Sequence, residues 1–372
     1  MNGETAPAVR PVVTGLGVLS ACGHGTDPLA AAVSYGKTAF GTVSRFDVTA
    51  RRIRRAALLP DPPPLAEALL TVIGDACRQA DPTGPGSLTT PLLLALHSDA
   101  RLRGVSARVA DGVARQWGIP GVTRVYTGAC VAAGSAVADA AALVASGRHP
   151  RVLVAAGHLV EPGVFAAFDA GRALARDGEL RPFSSGRSGT LLGDAAVAVV
   201  VEADTAADRR GAPVLAELAG WGRSGDAHHV CRPVPDGDGM ARAAASALAR
   251  AGVRADEVGY VNANGTGSPL ADQAEATALR RIFGAHTDRL PVSSTKAVHG
   301  HALEASALLE LVVTITALRG GLLPVNAGWL GPDPDCPLDL VLDGPREARP
   351  RYALSLNSAF GGANTALLVA AR

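Results

Sequence analysis

The chain has 372 residues, of which 48% are hydrophobic and 19% charged, and a formal net charge of +1. Such a chain buries a large core without help from disulfides or metals, as one α/β unit or two fused halves. The neutral balance, with no basic stripe, argues against nucleic acid as a partner.

The start, MNGETAPAVRPVV, has no basic run followed by an apolar core, so no secretory leader is expected. PVVTGLGVLS, from Pro11, reads as a strand with a glycine turn. FDVTARRIRRAALLPDPPPLAE, from Phe46, reads as an exposed crossing loop. LAEALLTVIGDACRQA, from Leu65, has helical apolar spacing. TPLLLALHS, from Thr90, reads as a buried strand, VSARVADGVARQWG, from Val105, as a helix, and TRVYTGAC, from Thr123, as a strand ending near a glycine. A small-residue helix is expected from Ala129 to Gly147, then buried strands in RVLVAAGHL, from Arg151, and AAVAVVVEA, from Ala195. DTAADRRGAP, from Asp204, is polar and holds Gly and Pro, the signature of a junction.

A second series follows. APVLAELAGWG, from Ala212, reads as a strand and GMARAAASALARAG, from Gly239, as a helix. EVGYVNANGTG, from Glu257, reads as a strand entering a glycine loop, and PLADQAEATALRRIFG, from Pro269, as a helix. LPVSSTKAVHGH, from Leu290, leads into a second small-residue helix, Ala302 to Gly321. RYALSLNSAFGGANTALLVAA, from Arg351, closes with two strands around a glycine turn. Strands alternating with helices predict a layered α/β fold. The two small-residue stretches approach membrane-span length, but Asp139 interrupts the first and Glu304 and Glu310 the second, which favours buried central helices over membrane spans.

Four motifs carry chemistry. Cys130 lies in TGACVAAG, where a strand gives way to a helix. The helix dipole and free N–H groups there favour a thiolate and can hold an oxyanion, although a Cys before an Ala-rich helix also reads as a small buried hydrophobe. The other cysteines, Cys22, Cys77, Cys231 and Cys336, form no C-x-x-C pair, so no metal or redox motif is expected, and a reducing cytoplasm fits. NANGTGSPLAD, from Asn262, sets polar side chains on a glycine-rich turn that lacks the spacing of a phosphate loop. SSTKAVHGHALE, from Ser293, puts Lys296 five positions before His301. Lys296 is one of only two lysines among 35 basic residues, so its retention points to a need for a compact charge. A cation near an imidazole favours the neutral ring. NSAFGGAN, from Asn357, is a hairpin turn or a place where backbone N–H groups approach a ligand.

In this order the four motifs resemble the β-ketoacyl synthase family, over nearly the whole chain. RPFSSGRSGTLLGDAA, from Arg181, and GDAHHVCRPVPDGDG, from Gly225, extend the likeness. The resemblance implies a thiolase-like fold layered α-β-α-β-α, with pseudo-equivalent halves at 1–208 and 209–372 around central helices. It implies that Cys130 accepts an acyl group from an acyl carrier protein or coenzyme A, without a cofactor. Thr266 and Ser268 would contact the pantetheine arm, with Cys231 where the family usually has Thr. Lys296 and Glu310 would order the network around His301. The N–H groups of Cys130 and Phe360 would form an oxyanion hole, and Phe360 would gate the acyl pocket. The implied assembly is a homodimer, or a heterodimer with a second ketosynthase-like chain.

Three departures stand out. Asn264 occupies the place of the family's first active-site histidine, the cysteine motif usually reads Asp-Thr-Ala-Cys, and residues between about Ala50 and Gly121 are compressed. An Asn amide can donate a hydrogen bond to an enolate oxygen but cannot shuttle a proton. General acid–base help is worth about 10²–10⁴-fold. The expected function is therefore condensation of the Cys130-bound acyl group with a malonyl-derived enolate. Acyl transfer without elongation, and a partner subunit like a chain-length factor, are the alternatives.

Overall fold

A computed structural model describes residues 9–81 and 90–372; the reading of the chain's start as leader-free falls largely on residues 1–8, outside the described residues. The first five long strands are β1 (Pro11–Ser20), β2 (Leu92–Ala95), β3 (Val122–Tyr126), β4 (Arg151–His158) and β5 (Ala195–Ala203). Five more follow as β6 (Ala216–Gly225), β7 (Val258–Asn262), β8 (Pro291–Ser293), β9 (Tyr352–Ser358) and β10 (Ala363–Ala370). They pair in the orders β3-β2-β4-β5-β1 and β8-β7-β9-β10-β6. Within each set that is third, second, fourth, fifth, first. The directions repeat as well: the first three in each order run parallel, and the last two join antiparallel. The sets meet where β1 pairs with β6 at Val12↔Glu217 and Val13↔Ala216.

Helices complete the layers. They are α1 (Leu65–Ala80), α2 (Leu102–Trp117), α3 (Ala132–Ala145), α4 (Asp238–Ala251), α5 (Pro269–Phe283) and α6 (Ser306–Gly320). Helices α3 and α6 pack on each other in the centre, α1 covers β1 and β5, and α4 covers β6 and β10. Almost every α6 residue is buried, as expected of a helix apolar on all sides. No helix among the described residues is long and apolar enough to cross a membrane.

The two halves use the same device to bring an outer helix onto the sheet. A Cβ on Gly15 or Gly17 of β1 would lie 2.0 or 1.9 Å from the carbonyl oxygens of Ala76 and Val72 on α1. A Cβ on Gly220 or Gly222 of β6 would lie 2.0 or 1.8 Å from those of Ala247 and Ala243 on α4. The obstacle is backbone and cannot rotate away. Gly17→Ala and Gly222→Ala are each expected to lower the urea midpoint, at a cost of about 1–3 kcal/mol, while Gly41→Ala, at an exposed position where nothing lies within 4 Å, serves as a surface comparison.

One sequence expectation is corrected. The segment from Phe46 to Glu67 is not an exposed loop. Arg55–Ala57 pairs with Phe40–Thr42, and Val48, Ile53 and Leu59 are buried. The buried Asp194 carboxylate clamps it, accepting the Leu59 N–H at 2.9 Å and pairing with Arg45 at 2.5 Å. Apolar residues placed singly among arginines leave no periodic signal. The stretch read as a junction, from Asp204, opens with a helical turn, Asp204–Arg209, pinned by Asp204 to Arg10 at 2.8 Å.

Candidate active site

Cys130 enters through a strained turn. After β3, a single 3₁₀ turn, Ala129–Val131, precedes α3. Ala129 has φ 51°, a left-handed conformation that costs a residue with a side chain roughly 1–3 kcal/mol. Cys130 is only 6% exposed. The thiolate expected from the helix start is not what the surroundings favour. Burial, and after it the Glu304 carboxylate, push the thiol up to about 12, and the Lys296 charge offsets only part of this. A helix end supplies roughly 0.3–1 kcal/mol, under one pKa unit, whereas full burial shifts a group by up to about 3–5 units.

The Asn-Gly-Thr-Gly loop is held by two carboxylates of α5. Glu275 accepts the N–H groups of Asn264 and Gly265 at 2.7 and 2.8 Å, and Asp272 those of Thr266 and Gly267 at 3.0 and 3.1 Å. Gly267 has φ 74°, and a Cβ there would lie 2.7 Å from the Gly189 carbonyl. Lys296 reaches the same loop from a short helix, Lys296–His299. Its Nζ donates to the Asn264 carbonyl at 2.6 Å and to Asn264 Oδ1 at 3.3 Å, and pairs with Glu310 Oε1 at 2.6 Å. Lys296 and Glu310 are both fully buried. Glu310 Oε2 accepts from Asn357 Nδ2 at 2.6 Å. An ammonium only donates, so Oδ1 of Asn264 is assigned to the lysine side, and Nδ2 is left as the donor for the cavity.

His301 is fixed at both ends. Its backbone bonds with Leu191 and Gly193 of the Arg181 motif, at 2.7 and 3.0 Å. Its Nδ1 lies 2.8 Å from the Ser306 hydroxyl at the start of α6. Burial first, then the Lys296 charge, hold the imidazole well below its ordinary pKa, so the ring is neutral. That is the state expected from the Lys-x4-His spacing. The Phe360 turn is a hairpin, with Gly361 at φ 91° and Gly362 at φ 76°. The Gly361 N–H donates to Val230 and the Asp226 N–H to Gly362, both at 2.8 Å, which ties the Cys231 loop to the hairpin. Phe360 is exposed and stacks on Phe168 at 6.0 Å.

These segments converge on one cavity of about 410 Å³. Buried Cys130, Asn264 and His301 line it with half-buried Thr266 and Ser268, and exposed Cys231 and Phe360 lie at its mouth. Lys296 and Glu310 stand directly behind Asn264. Sequence reasoning missed Ser306, Asn357, Asp272 and Glu275. Asn357 lies inside a motif singled out for its glycines, and the two α5 carboxylates follow the loop by one and two helical turns. A search for buried acids on the helix after such a loop would have found them.

The chain matches the family models described as the N-terminal domain of β-ketoacyl synthases over residues 97–207 and the C-terminal domain over residues 215–329. It is 40% identical over 269 residues to nodulation protein E of Rhizobium meliloti, covering 72% of this chain and 66% of that protein. It is 40% identical over 189 residues to the 3-oxoacyl-[acyl-carrier-protein] synthase 2 of Coxiella burnetii, covering 51% of this chain and 46% of that one. The matches thus span less than two thirds of these curated relatives. Among solved structures, the ishigamide ketosynthase/chain length factor is similar at 28% identity and a TM-score of 0.87, covering 98% of this chain and 100% of that one.

Proposed function

Because the chain belongs to the β-ketoacyl synthase family, with its thiolase-like fold, we propose that it takes an acyl group from a carrier-protein or coenzyme A thioester onto Cys130 and condenses it with a malonyl-derived enolate. The observation that carries this reading is the convergence of Cys130, His301 and Asn264 on one cavity, with Thr266, Ser268 and Cys231 nearer its mouth. The Cys130 thiol passes its proton to neutral His301 as sulfur attacks the thioester carbonyl. The pantetheine sulfur leaves and takes that proton. The malonyl thioester then loses carbon dioxide, and the electron pair of the broken carbon–carbon bond becomes an enolate. His301 and the Asn264 amide donate to the enolate oxygen. The enolate carbon attacks the acyl carbon on Cys130 and expels the Cys130 sulfur. The N–H groups of Cys130 and Phe360 hold the oxyanion in both acyl transfers. Lys296 and Glu310 orient the Asn264 amide from behind.

The partners belong to the same proposal. The carrier or coenzyme arm would enter past Phe360 and Phe168. Among the described residues strand β3 pairs only with β2, and it is half exposed, so its free edge suits a second copy or a second ketosynthase-like chain. One structural relative is titled a ketosynthase/chain length factor.

Asn264 favours one further reading, acyl transfer without elongation, because an amide supplies the hydrogen bond but not the proton. Intact mass after incubation with an acyl-carrier thioester, followed by malonyl-carrier protein, tests both. An acyl adduct on Cys130 that vanishes in Cys130→Ala is expected, followed by a product two carbons longer. Absence of the adduct would sink the nucleophile. An adduct without carbon dioxide release would favour transfer alone, and Asn264→His should then raise decarboxylation about 10²-fold or more.

A further inference from the structure

A second cavity, of about 480 Å³, shares no lining residue with the first, and a buried polar cluster links the Cys130 turn to its wall. Helices α3 and α6 begin in the same way. Each follows a single 3₁₀ turn, Ala129–Val131 or Leu303–Ala305, and each turn opens on a residue with a side chain at positive φ, 51° for Ala129 and 42° for Leu303. The middle residue of the first turn is Cys130. The middle residue of the second is Glu304. The carboxylate therefore stands at the pseudo-equivalent of the nucleophile's position.

The two turns pack on one another, and the Glu304 turn also packs on β4, which ends in His158. Glu304 is 2% exposed and His158 3%. Glu304 Oε1 accepts from His97 Nδ1 at 2.8 Å, and Oε2 lies 3.7 Å from His158 Nδ1, too far for a hydrogen bond. Oε2 of Glu304 and Nε2 of His158 have no hydrogen-bond partner among the described residues. Burial, and after it His97 and Arg101, push His158 down to about 3, so it is uncharged and does not neutralise the carboxylate.

His97 and His158 line the second cavity, whose other walls include Phe46, Leu96, Leu102, Val105 and Val164. Two of its arginines are ion-paired, Arg45 with Asp194 at 2.5 Å and Arg101 with two other residues of the wall, Asp99 at 2.5 Å and Glu161, while Arg108 is exposed. His158 thus carries an unpartnered nitrogen in the wall of this cavity, and Glu304, with an unpartnered oxygen, stands between that wall and the Cys130 turn, which makes the way from Cys130 to the cavity a poor route for a plain alkyl chain. An alkyl group passing there would satisfy neither polar atom. A hydroxyl can donate to the carboxylate and pair with the imidazole in either tautomer.

We infer that Glu304 and His158, with His97 fixing the carboxylate, form a polar port between the two cavities that selects acyl groups bearing a hydroxyl near the thioester over unsubstituted acyl groups of the same length. The inference rests on the reading of Cys130 as an acyl acceptor. The test is a competition in one sample between octanoyl and 3- or 5-hydroxyoctanoyl pantetheine thioesters, with the Cys130 adducts resolved by intact mass. At least one hydroxy thioester is expected to win by about tenfold or more, as sites built to hydrogen-bond a substrate group reject the analogue without it. Glu304→Ala and His158→Phe should each bring the ratio towards one. The ratio is internal to the sample, so partial unfolding of a variant does not move it. Adducts formed in equal amounts by the wild type, or a preference that both variants retain, would overturn the port while leaving the acyl acceptor standing. No adduct from any thioester would instead remove the acyl acceptor itself.

Discussion

Cys130 is expected to react with a small disulfide reagent about 30–100-fold more slowly than an unhindered cysteine peptide at pH 8. Its rate should keep climbing about tenfold per pH unit up to pH 10, where a free thiol has levelled off. Burial and the Glu304 carboxylate push the thiol up to about 12. Against an ordinary thiol near pKa 8.5–9, that lowers the thiolate fraction by about three decades. Thiolate nucleophilicity rises with basicity, with a Brønsted coefficient of about 0.4–0.5, and returns roughly half of the loss. Glu304→Gln removes the second-largest of the causes that raise the thiol and should speed the reaction. The measurement is peptide mapping of Cys130 over a pH series. A plateau near pH 8 would mean that the helix start outweighs burial after all. If the slow rate is found, acylation depends on proton removal during attack, which gives neutral His301 its task.

The second large effect concerns the buried ion pair. Lys296→Met leaves Glu310 fully buried, with only the Asn357 amide as a partner among the described residues. Breaking a buried pair by removing one member costs about 3–5 kcal/mol. Urea unfolding should report that loss, and Lys296→Met combined with Glu310→Met should recover most of it, since replacing both charges with apolar groups is often neutral. The sign with pH is defined. Burial already raises Glu310 above its ordinary value, and Lys296 opposes the rise. Without Lys296 the folded carboxyl holds its proton to still higher pH than the unfolded one. Stability is then lost as pH rises from the unfolded value, near 4.3, towards the folded one, so the single variant should be weaker at pH 8 than at pH 5. Its activity should fall even at pH 5, because Asn264 Oδ1 loses the donor that orients it. A stable Lys296→Met protein with an unchanged midpoint would overturn this account of the pair.

Both results turn on burial, and burial marks the boundary of what the sequence could say. Alternating strands and helices and two small-residue helices indicated the layered fold, and four ordered motifs, through the family they resemble, named Cys130, Asn264, Lys296, His301, Glu310 and Phe360. Those signals are local, because a period, a glycine at a turn or a lysine kept among arginines is written within a few residues. The tertiary structure decided three further matters. It decided the protonation of Cys130, because burial outweighs a helix end that the sequence does display. It decided the orientation of Asn264, because that depends on a lysine 32 positions away. It alone gathered His97, His158 and Glu304, since no spacing relates a residue after β2, the end of β4 and a turn before α6. Charges and hydrogen bonds act through space, and only the folded chain sets the distances on which they depend.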